Sequence, residues 1–154
     1  MHIVIVAVAG RPAAWLDQAE QQYLKRLPRA WRTRMERVPP SRKGSNAEVR
    51  QADEWSRINK KISESDRLVL LDEGGVGFSS REFAARLGSI RDRGQNLALV
   101  LGGPDGFGDA VRHSAQELWS LSSLTMPHEL ARLTLVEQLY RAHTILEGHP
   151  YHRD

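Results

Sequence analysis

Two groups of residues in this sequence have types and spacings that could do chemistry. The first is the closing run HPYHRD, residues 149 to 154. His149 and His152 can exchange a proton near neutrality, and Arg153 carries a permanent charge that can steady a developing anion. Tyr151 can stack on a ring or hydrogen-bond to it. A terminal run with no task is usually disordered, so either a role in a site or packing against a neighbour is open for it. The spacing His149-x-x-His152 has no further ligand within reach in the sequence, and no metal site is expected.

The second group is three glycine-rich or small-residue turns: DEGGVGFSS after Leu71, GGPDGFGD after Leu101 and SSLTMP after Leu121. In open parallel sheets ligands bind beyond the carboxyl ends of the strands, where these turns would lie. Phosphate is disfavoured. A P-loop ends in Gly-Lys-Ser/Thr, and no lysine follows Lys61; Gly103, Gly106 and Gly108 run opposite to the dinucleotide spacing. Glycines also let a flat ligand lie against bare main chain, and Leu71, Leu121, Leu124 and Met126 could flank a slot for a purine. Three ordinary tight turns are the alternative reading of the same residues.

The elements needed to position these groups alternate along the chain. HIVIVAVA, 2 to 9, is a β-branched run suited to a strand buried on both faces. Pro12 opens a helix that carries Trp15, Ala19, Tyr23 and Leu27 and closes at Pro28. Residues 31 to 38 alternate as a half-exposed strand, and Ser45 or Asn46 caps a polar helix to about Ser63. RLVLLD, 67 to 72, is a short strand, with EGGVGF after it as a turn. Ser79 and Glu82 form a capping box for a helix ending at Gly94. A strand over 96 to 101, a helix over 109 to 116, a brief strand LWSL and a helix from Pro127 to Gly148 complete the pattern.

This alternation predicts an α/β fold: a mainly parallel sheet with helices on both faces, in one domain spanning 1 to 154. The last helix is apolar around its axis rather than along one stripe, so more than one side is covered. In so small a domain a second subunit is the expected cover, giving a homodimer; burial within the chain is the alternative. Cysteine is absent, which excludes disulfides and thiolate chemistry, and the apolar opening is too short to span a bilayer. A cytoplasmic protein with no membrane partner is expected. Net charge is +3, but residues 1 to 65 hold 13 Lys/Arg against 7 Asp/Glu, densest from Lys25 to Lys43. Such a patch attracts polyanions, nucleic acid among them, or simply makes a solvated face.

The motifs LLDEGG, LVLGGPDG, LSSLTMPHELARLTLVEQLYRA and HPYHRD together resemble the ribosomal RNA large subunit methyltransferase H family, pseudouridine N3-methyltransferases of the SPOUT superfamily. The resemblance covers the whole chain. It implies a C-terminal trefoil knot, which no hydrophobic pattern predicts. It also implies a homodimer, S-adenosyl-L-methionine as cofactor, and 23S rRNA in the large subunit or assembled ribosome as substrate. Carried over by position, the cofactor site would comprise Leu71, Gly102, Gly103, Leu121, Ser122, Ser123, Leu124, Thr125 and Met126. Catalysis would fall to His152, Arg153 and Tyr151, with the division of roles among them open. RNA would be met by Arg42 and Lys43, and by Arg132 and Arg141, which could equally make structural ion pairs. A non-catalytic ribosome-binding factor is the competing function, and an α/β enzyme for a small nucleotide metabolite is a third.

Overall fold

The computed structural model describes residues 1 to 151. Five strands form one sheet in the order β2-β1-β4-β3-β5, and every pairing is parallel. They are β1 (Ile3–Val8), β2 (Arg34–Val38), β3 (Arg67–Gly77), β4 (Leu97–Leu101) and β5 (Glu117–Ser120). The helices between and after them are α1 (Ala14–Leu24), α2 (Ala47–Asn59), α3 (Ser80–Asp92), α4 (Asp109–Ser114) and α5 (His128–Leu146). The expected α/β class is therefore the observed one, and the strand order is compatible with the knotted path that the resemblance implies.

Parallel strands need crossovers, which cover both faces and require strands apolar on both sides. β1 and β4 meet that requirement at every position. Ile3, Ile5, Ala7, Val69, Leu97 and Leu99 pack in a cluster with Phe83, Leu87, Leu135 and Leu139, so α3 and α5 lie on this face, joined by Tyr23 and Leu24 of α1. Val4, Val6, Leu68, Leu70 and Val100 face the other way, against Trp55 and Ile58 of α2 and Val111 of α4. α5 runs against both α1 and α3, which accounts within the chain for much of its apolar circumference.

Several boundaries follow the local chemistry. Asn46 accepts from Val49 N at 2.9 Å, capping α2, and Ser79 with Glu82 forms the capping box of α3. The Glu82 carboxyl is held below its usual range by the Ser79 backbone N–H and hydroxyl. Two expectations fail. The strand predicted from residue 31 starts only at Arg34, because 29 to 31 form a 3-10 turn and Arg32 takes a left-handed conformation, φ 42°.

The second failure concerns EGGVGF. β3 does not end at Asp72; its pairing with β5 is interrupted after Leu71 and resumes at Val76, opposite the same Trp119, continuing with Gly77 opposite Ser120. The four intervening residues bulge out. Gly75 is pressed so closely on β5 that an added Cβ would stand 2.6 Å from the carbonyl carbons of Leu118 and Trp119. Tertiary pairing thus overrides glycine composition here.

A charged cluster is buried between α1, α5 and β2. Arg132 Nε bonds to Glu20 Oε1, whose other oxygen receives Arg37 at 2.7 Å; Glu20 is 0% exposed and Arg132 1%. Removing one member strands the other charge in a low dielectric. Arg132→Ala is expected to lower unfolding free energy by about 3–5 kcal/mol in denaturant titration, whereas Glu20→Gln/Arg132→Met together should lose less than Arg132→Ala alone.

Candidate functional site

Because every strand is parallel, the segments after Leu71, Leu101 and Ser120 leave the sheet on one side and converge. Each is shaped by its own bonds. In the β3 bulge, Asp72 Oδ1 accepts from Gly74 N at 2.9 Å while Oδ2 pairs with Arg112 Nη1 of α4 at 2.8 Å. In the loop after β4, Gly106 N donates to Gly103 O at 2.9 Å, closing a turn with Pro104 and Asp105 at its centre and Gly106 at φ +68°. Pro there presets φ and Gly supplies the left-handed position. After β5, Ser120 Oγ donates to Ser122 O and Leu124 N donates to Ser122 Oγ, both at 2.9 Å.

The turn after β4 is also clamped from outside. Arg50 of α2 grips the Asp105 carboxylate at 2.7 and 3.1 Å, and Gln51 Nε2 donates to the Asp105 carbonyl at 2.6 Å. The paired Arg50 guanidinium holds the Asp105 carboxyl below its ordinary range. A Cβ on Gly103 would come within 2.7 Å of Glu54 Oε2, and one on Gly102 within 3.2 Å of the Phe107 ring and 3.3 Å of the Gly106 carbonyl carbon. The Gly-Gly pair thus also serves the turn's packing on itself and on α2.

The convergence leaves a cleft of about 400 Å³. Leu71, Gly102, Gly103, Leu121, Ser122, Leu124 and Met126 border it, and Ser123 and Thr125 border an adjoining cleft of about 450 Å³ on the far side of the bulge. All nine positions named from the sequence for a cofactor thus lie around one end of the sheet. Leu124 is 76% exposed, an apolar side chain left open to solvent at the rim. Sequence reasoning did not single out Asp72, Glu73, Phe107, Arg112 or His128, which border the same space. Asp72 and Glu73 were legible only as part of a turn, and Arg112 sits on a short helix with no motif to flag it.

The positions named for RNA and catalysis are placed unevenly. Arg42 is exposed, and Lys43 keeps most of its side chain in solvent while its Nζ pairs with Asp53 at 2.6 Å; their loop follows β2 and so lies at the same end of the sheet. Arg132 must be corrected: 1% exposed and bonded to Glu20, it presents no surface to a nucleic acid. Arg141 is bound to Glu137 at 2.6 Å and lies 5.2 Å from the Tyr151 ring centroid, the structural alternative foreseen for it. Tyr151 packs edge-on against Tyr140, centroids 4.7 Å apart, with its hydroxyl 3.3 Å from Glu137 Oε1. Burial, then the neighbouring Tyr23 hydroxyl and the Glu137 carboxylate, push its phenol well above the ordinary value. His152 and Arg153 lie outside the described residues. Among the described residues no group of His, Asp or Glu could hold a metal ion, and no helix is long and apolar enough to cross a membrane.

Fold and cleft define a parallel α/β protein whose ligand space is walled by main chain and leucines at the carboxyl edge of its sheet. The sequence matches the family described as "Predicted SPOUT methyltransferase" over residues 1–152, and the chain belongs to that family. Among curated relatives, "Ribosomal RNA large subunit methyltransferase H" of Hahella chejuensis is 40% identical over 156 residues, covering 100% of both chains. The protein of the same name from Thioalkalivibrio sulfidiphilus is 41% identical over 156 residues, again covering 100% of each. That of Methylococcus capsulatus is 39% identical over 155 residues, 99% of this chain and 100% of its own.

The basic loop is tied down by an acid. Hydrogen bonds from Lys43 and Ser41, with Arg57 adding its charge, depress the Asp53 carboxyl to about 2. Because the folded value lies below the unfolded one, the stabilisation is present above about pH 4 and lost as pH falls through about 2. Melting temperature measured between pH 5 and 2 should fall less steeply in Asp53→Asn than in the wild type, from a lower starting value.

Proposed function

We propose that this chain is an S-adenosylmethionine-dependent methyltransferase acting on N3 of a pseudouridine in the 23S rRNA of the large ribosomal subunit or assembled ribosome. The observation that carries the reading is end-to-end similarity to relatives bearing the ribosomal methyltransferase name, with the three loops of the family motifs gathered on one cleft. We take residues 1 to 154 as one catalytic domain, working as a homodimer in the cytoplasm.

The cleft fits such a donor. Leu71, Leu101, Leu121, Leu124 and Met126 give an apolar wall for a purine and for the chain next to it, and the main chain at Gly102, Gly103 and Ser122 to Thr125 offers donors and acceptors. When bound, S-adenosylmethionine supplies an electrophilic methyl group on a sulfonium. Holding the acceptor nitrogen close and in line with it can contribute several kcal/mol, about 7–11 at best, to lowering the barrier. N3 of the base is protonated at neutral pH. His152 takes that proton on its imidazole, Arg153 steadies the negative charge spreading over the imide, and Tyr151 holds the ring. Arg42 and Lys43 meet the RNA backbone.

Tyr151 docks on Tyr140, and nine positions separate Tyr140 from the cleft residue Ala131 on α5. That is about two and a half turns, so the two face opposite sides of the helix and stand roughly 14 Å apart along it. Tyr151 is thus anchored on a side of α5 turned from Ala131, and in this reading residues 152 to 154 serve the cleft of a second copy, which supplies a reason for the dimer. Tyr151 then acts as the anchor of the tail as well as a contact to the base.

Mass spectrometry of 23S rRNA from a strain lacking the protein should show the pseudouridine unmethylated, and adding back the purified protein with the donor should restore the methyl group. Donor binding by calorimetry without any transfer would instead favour the ribosome-binding factor. His152→Ala and Arg153→Ala should each slow transfer about 100-fold or more while changing donor affinity by less than about twofold. Parallel loss of donor affinity would remove the tail from the acceptor side.

A further inference from the structure

Three carboxylates border the cleft, and two already have a cation on them. Asp72 is paired with Arg112 at 2.8 Å and Asp105 with Arg50 at 2.7 Å. The third is Glu73, which borders both the main cleft and the adjoining one. It is exposed, and no hydrogen bond or ion pair engages it among the described residues. The bulge puts it there: pairing of β3 with β5 lapses between Leu71 and Val76, and the close seat of Gly75 on β5 fixes the base of the protruding segment. Among the described residues, the cleft lining therefore has one negative charge with no cation paired to it, where the two clefts meet.

We infer that Glu73 is a charge-selecting residue of the cleft, favouring the cationic sulfonium donor over the neutral thioether left after transfer. This rests on the donor reading above. At neutral pH the donor carries sulfonium, ammonium and carboxylate charges, and the product only the last two. When the methyl bonds to the acceptor nitrogen, the electron pair of the broken S–C bond stays on sulfur and the positive charge there disappears. A fixed carboxylate thus attracts the donor by one charge more than it attracts the product. Asp72 is no substitute, since Arg112 compensates its charge. Because Glu73 is solvated, its effect acts through a high dielectric and amounts to about three- to tenfold in affinity, fading with salt.

Calorimetric titration of the full chain with S-adenosylmethionine and separately with S-adenosylhomocysteine tests this. Glu73→Gln should weaken the donor about three- to tenfold and the product less than twofold, and Glu73→Lys should widen that contrast further. The wild-type preference should shrink between about 0.02 and 0.3 M salt, and the Gln variant should show little such dependence. Equal weakening of both ligands, or an unchanged preference in both variants, overturns the role of Glu73 while leaving the donor site standing. If the wild type binds neither ligand, the donor reading fails, and this inference with it.

Discussion

Parallel pairing of five strands is the constraint on which the rest of this molecule depends. It obliges the chain to return across the sheet after each strand, so helices cover both faces and the central strands become apolar throughout. It also sends the loops after β2, β3, β4 and β5 out at one end. The cleft is a consequence of that convergence rather than of any single loop, since leucines at strand ends and turns from three separate segments share its lining.

The glycines serve this arrangement in ways their motif alone does not disclose. Gly75 allows β3 to ride against the β5 backbone, and Gly103 leaves room for Glu54. Arg50 and Gln51 then hold the Asp105 turn from α2, so an element on one face of the sheet fixes the shape of the site at its edge. A loop clamped in this way presents a fixed wall, and preorganised main-chain groups need no rearrangement when a ligand arrives.

Charge is divided between structure and surface. Arg132, Arg37 and Glu20 spend their charge inside, linking α5 and β2 to α1, while Arg42 and Lys43 remain at the solvent-facing end of the sheet. The tyrosines on α1 and α5 receive Tyr151, whose position on the far side of α5 separates the anchoring of the tail from the cleft of the same chain.

By itself the sequence determined the α/β class, the capping of α2 and α3, the three turns that border the cleft, and the kinship of the whole chain. These are set by short-range patterns: periods of two and 3.6 residues, Ser and Asn at helix starts, and motifs of contiguous residues. Only the tertiary structure decided that EGGVGF contains a bulge and more strand, because the Gly75 contact is made with β5, over forty residues away. It decided that Arg132 is buried, that Asp72 is matched by Arg112 and that Glu73 has no such match among the described residues, since a charge's partner is chosen by folding and not by distance along the chain. It also set Tyr151 against Tyr140, on the side of α5 opposite Ala131, a separation that arises from the pitch of the helix and the return of the chain after it.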